Sequence, residues 1–362
     1  MKRNGSRRKS RALASASQSG LLRRGLTPQN KKPAPRRVWG PERFAASRSD
    51  LDNYLFLLSA RDKLRDFLRE KGYLEILVPV MSPETVPDLN LESFAVKFQS
   101  VFQRGQKATL YLQTSPELML KRLLASGFEA IFYLGPVFRQ GEFAEKHHPE
   151  FTMAEWYRAR SGYQDLMAEI EEMLTTSFSV PGPIPRMTMR QALVQAAGID
   201  FIELQNPGRL ARALARKTGG FDPKDMDFGE LLEFAMVQWL DPWLEGQAAI
   251  FIYDWPAEFS MQARLKPGEK KICERFELYL HGIEIANGYT ESTDAAEMEK
   301  RFRAEAQKRK NLKRKPLPIP QTFLRSLSRL PACAGVSLGL ERLCLALLGL
   351  DNLDRIMPFR EL

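Results

Sequence analysis

Three groups of residues have the types and spacing that chemistry needs. In EFTMAEWY (150–157), alternate side chains share a face if the segment is a strand. Phe151, Met153, Glu155 and Tyr157 then line one side, and Glu150, Thr152, Ala154 and Trp156 the other. A plain core strand would not set Glu155 between Met153 and Tyr157, because a buried carboxylate needs a partner. A cationic amine ligand would serve, and so would an arginine elsewhere in the sheet. Phe151 can stack on a flat base, and Tyr157 can cover an alkyl chain. The second group is Arg139, near the end of a strand that a 140–149 loop returns to the first, where it can grip phosphate in bidentate fashion. The third is RFELYLHGIEIANGYTE (275–291). A two-residue turn at His281-Gly282 sets Tyr279 opposite Glu284 and Glu277 opposite Ala286. Glu277 and Glu284 are then diagonal neighbours on one face, roughly 7–8 Å apart. A hard divalent cation such as Mg²⁺ would relieve their repulsion; a solvated hairpin with surface glutamates is the plain alternative. Asn287-Gly288 permits a bulge or turn, and Glu291 follows.

The elements that must position these groups can be read from periodicity. Ser49-Asp50-Leu51-Asp52 resembles a capping box. Leu51, Tyr54, Leu55, Leu58, Leu64, Phe67 and Leu68 then recur at mostly helical steps, up to Gly72. Strands are expected at 74–80, 109–114, 131–140, 150–157, 249–253 and 275–289. Helices are expected at 116–126, opening on a proline, and at 165–178 and 294–311. Residues 180–248 read as a helical insertion. PLPIP (316–320) is a rigid connector, and GVSLG leads into a last helix, ERLCLALLGL. Strands joined by hairpins with helices outside indicate an α+β fold with an antiparallel sheet.

Composition places these elements in a soluble protein. Hydrophobic content is 44% and charged content 27%, ordinary for a globular chain. No run approaches the roughly 18 apolar residues of a membrane span. Three cysteines without ligand spacing argue against both a disulfide framework and a metal knot, so a cytoplasmic protein is expected. The formal net charge of +10 is misleading. Residues 1–50 hold fourteen Lys/Arg against two acids, a net of +12, which leaves −2 for residues 51–362. Residues 1–48 therefore read as a basic disordered tail, and 49–362 as the catalytic domain. The tail's composition also suits an organellar transit peptide, an arm touching RNA or a membrane surface, or no role at all.

Taken together, these motifs resemble the catalytic core of the class II aminoacyl-tRNA synthetases, of the lysyl type. The helix from 51 to 71 and the segment ending at Pro79 resemble the first motif, which forms the dimer interface in that family. VFRQGEFAEKHHPEFTMAEWY resembles the second, GVSLGLERL (335–343) the third, and GIEIANGYTE (282–291) the lysine- and metal-binding strand. The likeness covers about 51–360, in family order. A lysyl-tRNA synthetase would carry an anticodon-binding barrel ahead of this core, where a basic tail stands here. The chain is thus closer to the truncated paralogues, ligases that attach (R)-β-lysine, or lysine, to a lysine side chain of elongation factor P.

The resemblance implies a set of roles. Arg139 and His147 would hold ATP phosphates, Phe151 the adenine, and Arg342 the distal phosphates. Glu277 and Glu284 would bind Mg²⁺. Glu117, Glu155 and Glu291 would surround the substrate amines, Asn287 would orient its carboxylate, and Tyr157 and Tyr289 would line its chain. Three positions depart from the pattern: Gly141 replaces a glutamate, with Glu142 one residue later; His148 replaces an asparagine; and Ser337 replaces a Gly or Ala beside the amino-acid pocket. The implied reaction is attack of an ionised carboxylate on the α-phosphorus of ATP, followed by aminolysis of the acyl-adenylate. It rests on positioning and charge stabilisation by Arg139, Arg342 and Mg²⁺. His147 and His148 then read as phosphate or loop contacts, since Mg²⁺ prefers oxygen ligands. The base that deprotonates the acceptor amine is not legible. A homodimer follows from the family. Charging of tRNA, with the tail holding RNA, and amino-acid binding without catalysis are the competing readings.

Overall fold

The structure is a computed structural model that describes residues 48–357, apart from 104, 220–222, 224 and 225. The basic tail, but for Arg48, lies outside the described residues. In chain order the elements are α1 (Arg48–Glu70), β1 (Leu74–Glu75), β2 (Met81–Ser82), β3 (Ala95–Gln99), β4 (Lys107–Leu112), α2 (Glu117–Leu124), β5 (Ala130–Phe138), β6 (Glu150–Ala159) and α3 (Tyr163–Ser177). There follow β7 (Arg186–Thr188), α4 (Met189–Ala197), α5 (Pro207–Thr218), α6 (Phe228–Ala235), α7 (Asp241–Leu244), β8 (Ala249–Pro256), β9 (Leu265–Lys266), β10 (Glu269–Leu280), β11 (Ile283–Thr290), α8 (Ala295–Asn311), α9 (Gln321–Ser326), β12 (Cys333–Gly339) and α10 (Leu340–Leu348).

The main sheet runs in the order β1-β5-β6-β12-β11-β10-β8-β7, with β9 beside β10, and a small β2-β4-β3 sheet stands apart. Its centre is antiparallel, as expected; only the outer pairs β1–β5 and β7–β8 are parallel. Strand alternation divides the core. Even-numbered Ala154 and Trp156 of β6 pack with Leu64, Leu68, Ile170, Phe276 and Val336 under α1, α3 and α10. Odd-numbered Met153 and Tyr157 face α2, α8 and α9. Trp156 is fully buried, and its indole N–H donates to Glu169 at 2.8 Å, which satisfies the one polar atom of that ring.

Five expectations are corrected. The helix already begins at Arg48, so Ser49 lies inside its first turn rather than capping it. The strand expected at 74–80 is two residues long: Ile76 still donates to Phe132 at 2.7 Å, but Pro79 has no N–H to continue the ladder. The 180–248 segment is not wholly helical, because β7 adds an edge strand to the main sheet. In the 275–291 hairpin, His281 (φ 49°) and Gly282 (φ 73°) do form the tight turn, the left-handed pair that a two-residue connection needs. A bulge beside Leu278 and Tyr279 then shifts the register, so Glu277 lies opposite Asn287, not Ala286. Asn287-Gly288 makes neither turn nor bulge. The strand is continuous there, and Gly288 lets Phe276 and Val336 close over it, each within 3 Å of where a Cβ would stand.

Candidate active site

The site is built on two cross-strand rows of the sheet. One row reads Tyr133, Glu155, Ser337, Asn287, Glu277 across β5, β6, β12, β11 and β10. The next reads Ile131, Tyr157, Gly335, Tyr289, Arg275. Large polar side chains flank a small residue in each row, which leaves a trough over Ser337 and Gly335. The bulge is what brings Asn287 and Glu277 into the first row.

At one end of the trough is a buried acidic pocket. Glu155 is 2% exposed. Among the described residues it has no arginine partner; the hydroxyls of Ser115 and Tyr157 each donate to it at 2.7 Å. Burial, then the charge of Glu117, pushes its pKa up to about 7. Glu117, at the start of α2, accepts from Tyr289 and, at 2.6 Å, from Gln262. Glu291 has one carboxylate oxygen against the Lys121 ammonium, while its Oε1 has no hydrogen-bond donor among the described residues. Burial is again the first cause of its raised pKa. Asn287 Oδ1 is likewise buried and unsatisfied. An unsatisfied buried acceptor costs about 1–3 kcal/mol, so two in one trough mark a place where a ligand brings donors.

The other end opens into a cleft lined by Arg139, Glu142, His147, Phe151, Glu284 and Arg342 among others. The Arg139 guanidinium lies 5.1 Å from the centre of the Phe151 ring and 3.5 Å from Glu142. Gly141 has φ +89°, a conformation that disfavours any side chain, and it turns Glu142 rather than residue 141 toward Arg139. Arg342 reaches Glu284 at 3.4 Å. Both ion pairs are long and partly solvated, so a polyphosphate can displace them. Gly339 opens α10 without a side-chain cap, leaving helix N–H groups at the cleft wall for an anion. His147 is held neutral: burial first, then Arg342, Arg139 and Lys146, lower its pKa to about 3.

Glu284 lines the cleft from the hairpin, and Glu277 is buried on the same hairpin within reach of its charge. Burial, followed by the charge of Glu284, raises Glu277 to about 7. Arg275 at 2.5 Å, Tyr279, and Asn287 at 3.3 Å all donate to it. An oxygen-only pair strained by its own repulsion fits a hard divalent cation. Among the described residues no group of three or more metal-binding side chains exists, so such a cation would take its remaining ligands from phosphate and water.

All the residues singled out in the sequence thus converge on one trough and its cleft. The sequence reading missed five others. Lys121, Ser115 and Gln262 are paired to the glutamates by the fold alone. Arg275 is hidden by its proximity in sequence to Glu277. Glu341 accepts the Thr152 N–H at 2.9 Å and so ties α10 to β6. The segment TSPELMLK held the only local signal, a Glu and a Lys four apart on one helix face.

The chain matches the family of class II tRNA synthetases (D, K and N) over residues 51–362. It is 36% identical over 299 residues to the elongation factor P–(R)-β-lysine ligase of Photobacterium profundum, covering 82% of this chain and 91% of that one. The proteins of the same name from Haemophilus influenzae and Vibrio cholerae are 32% and 35% identical, over 86% and 82% of this chain and 95% and 91% of theirs.

Proposed function

Because the chain belongs to the family of class II tRNA synthetases (D, K and N), we propose that it is an ATP-dependent ligase for elongation factor P. It activates (R)-β-lysine, or lysine, as an adenylate and passes the acyl group to a lysine side chain of that factor; its relatives bear the name elongation factor P–(R)-β-lysine ligase. The observation that carries the amine specificity is the pocket of three buried carboxylates, Glu117, Glu155 and Glu291.

Each residue's work follows from its place. The substrate's ammonium groups meet Glu117, Glu155 and Glu291, and its chain lies along Tyr157 and Tyr289. Asn287 and Ser337 lie between this pocket and Glu277, beneath the substrate carboxylate. Phe151 stacks on adenine. Arg139, joined by the neutral His147 as an N–H donor, grips the α-phosphate side, and Arg342 grips the distal phosphates. With the nucleophile already ionised, the residues need only hold its oxygen in line and stabilise charge on the phosphoryl oxygens. Glu277 and Glu284 would hold Mg²⁺, which supplies further neutralisation of phosphate charge.

Leu51 and Leu55 on α1, with Leu74 and Leu77 just after it, are exposed, Leu77 to 94%. A second copy of the chain covers them in this reading, as the first motif does in the family. The three cysteines are free and buried, which suits a reducing cytoplasm. Among the described residues no helix is long and apolar enough to cross a membrane.

The test is the intact mass of elongation factor P after incubation with this protein, ATP, Mg²⁺ and either amino acid. A gain of one residue is expected, larger in yield with (R)-β-lysine. No gain with either, together with acylation of bulk tRNA, would replace this reading by the tRNA-charging one.

A further inference from the structure

One buried cation in the pocket is used by none of these steps. Lys121 lies one turn after Glu117 on α2 and is 1% exposed. Its ammonium meets Glu117 at 2.5 Å, closely contacts Glu291, and approaches Gln262 Oε1 at 3.4 Å. The rings of Tyr289, Tyr157 and Phe323 surround it at 5.3, 5.8 and 5.9 Å. It is an ammonium among carboxylates and aromatic faces, the same chemistry that the pocket offers a substrate amine.

We propose that Lys121 is a positioning residue of the amino-acid pocket: a permanent internal counterion that pairs with Glu117 and Glu291 and holds them in place, and so fixes the pocket's remaining demand at two ammonium groups. This rests on the functional reading above. Three carboxylates against one lysine leave two negative charges, and lysine and (R)-β-lysine each bring two ammonium groups. Lys121 bridges an acid from the helix to an acid from the sheet, across the pocket rather than along one wall. A cation serving the fold alone would need only one of them. Burial works against its charge, but the charges of Glu117 and Glu291 outweigh it, and the net pKa is raised. The titratable groups facing it are Glu117 from α2, Glu155 and Tyr157 from β6, Tyr289 and Glu291 from β11 and its end, and Cys333 from β12.

The test is ATP–pyrophosphate exchange by Lys121→Met, Lys121→Gln and Lys121→Arg beside the wild type. Without the ammonium, nothing offsets the burial that already raises the pKa of Glu291, and the two acids lose the group that positions them. The KM for (R)-β-lysine in Lys121→Met or Lys121→Gln is then expected to rise by about tenfold or more at pH 7, with the KM for ATP unchanged. The deficit should shrink as pH rises toward 9 and the acids ionise, and Lys121→Arg should restore most of the affinity. A folded Met or Gln variant with the wild-type amino-acid KM, or with a loss that ignores pH, overturns the proposal. So does failure of both to fold while Lys121→Arg folds, which makes the lysine a structural counterion only. Wild-type protein inactive with both amino acids would instead overturn the functional reading, and the proposal with it.

Discussion

Replacing Glu155 by glutamine should make the protein more stable and useless. Its carboxyl is buried in the pocket, and burial, with Glu117 nearby, lifts its pKa from an ordinary 4.5 to about 7. Between those values the folded chain binds more protons than the unfolded one, so stability falls as pH rises through the window. Above pH 7 the whole cost is present, roughly 3 kcal/mol. Glutamine keeps the shape and removes the charge. The Ser115 and Tyr157 hydroxyls both donate to the carboxylate; against an amide, one must turn and accept, at about 1 kcal/mol. The net expectation at pH 8 is a gain of about 2 kcal/mol, a rise in Tm of about 3 °C. The gain should vanish below about pH 4.5, where wild-type Glu155 is already neutral. The same change removes an amine partner, so the amino-acid KM should rise by about tenfold or more. Thermal unfolding at pH 4.5 and 8, with exchange kinetics, measures both. A variant less stable than wild type at pH 8, or equally active, would refute the claim that this carboxylate is kept at the fold's expense for a ligand.

Other substitutions probe the two ends of the trough. Gly335→Ala places a Cβ 2.1 Å from the Tyr157 ring and 2.8 Å from Glu291 Oε1; exchange activity should be lost through the amino-acid KM, while ATP binding by calorimetry persists. Arg342→Ala should abolish adenylate formation with an unchanged circular dichroism spectrum; full exchange activity would remove ATP from this cleft. His147→Gln should weaken ATP binding severalfold without moving any inflection of the pH–rate profile near 6.5, because the wild-type imidazole is already neutral there.

The cost of the acidic pocket explains how the candidate site could be read before the fold. A glutamate alternating with apolar residues in EFTMAEWY is a poor choice for an ordinary core strand, and a local rule broken without a local reason points to function. Periodicity and turn chemistry depend on near neighbours, so they also yielded the helix before Gly72, the His281-Gly282 turn and the two faces of β6. The bulge near Tyr279 was beyond that reach. It arises from how β10 meets β11, and its effect is to bring Asn287 rather than Ala286 opposite Glu277. Lys121 was hidden for the same reason. In sequence it is a helical lysine four residues from a glutamate, the mark of a solvated face. Only the closing of β11 over α2, with Glu291 170 positions from Lys121 in the chain, makes it a buried cation. The sequence alone determined most of the element types, the sheet's alternation, and the acids and arginines of the site other than Glu341 and Arg275. The tertiary structure alone decided which charges share a low-dielectric space, because burial and pairing depend on long-range contacts that no local pattern encodes.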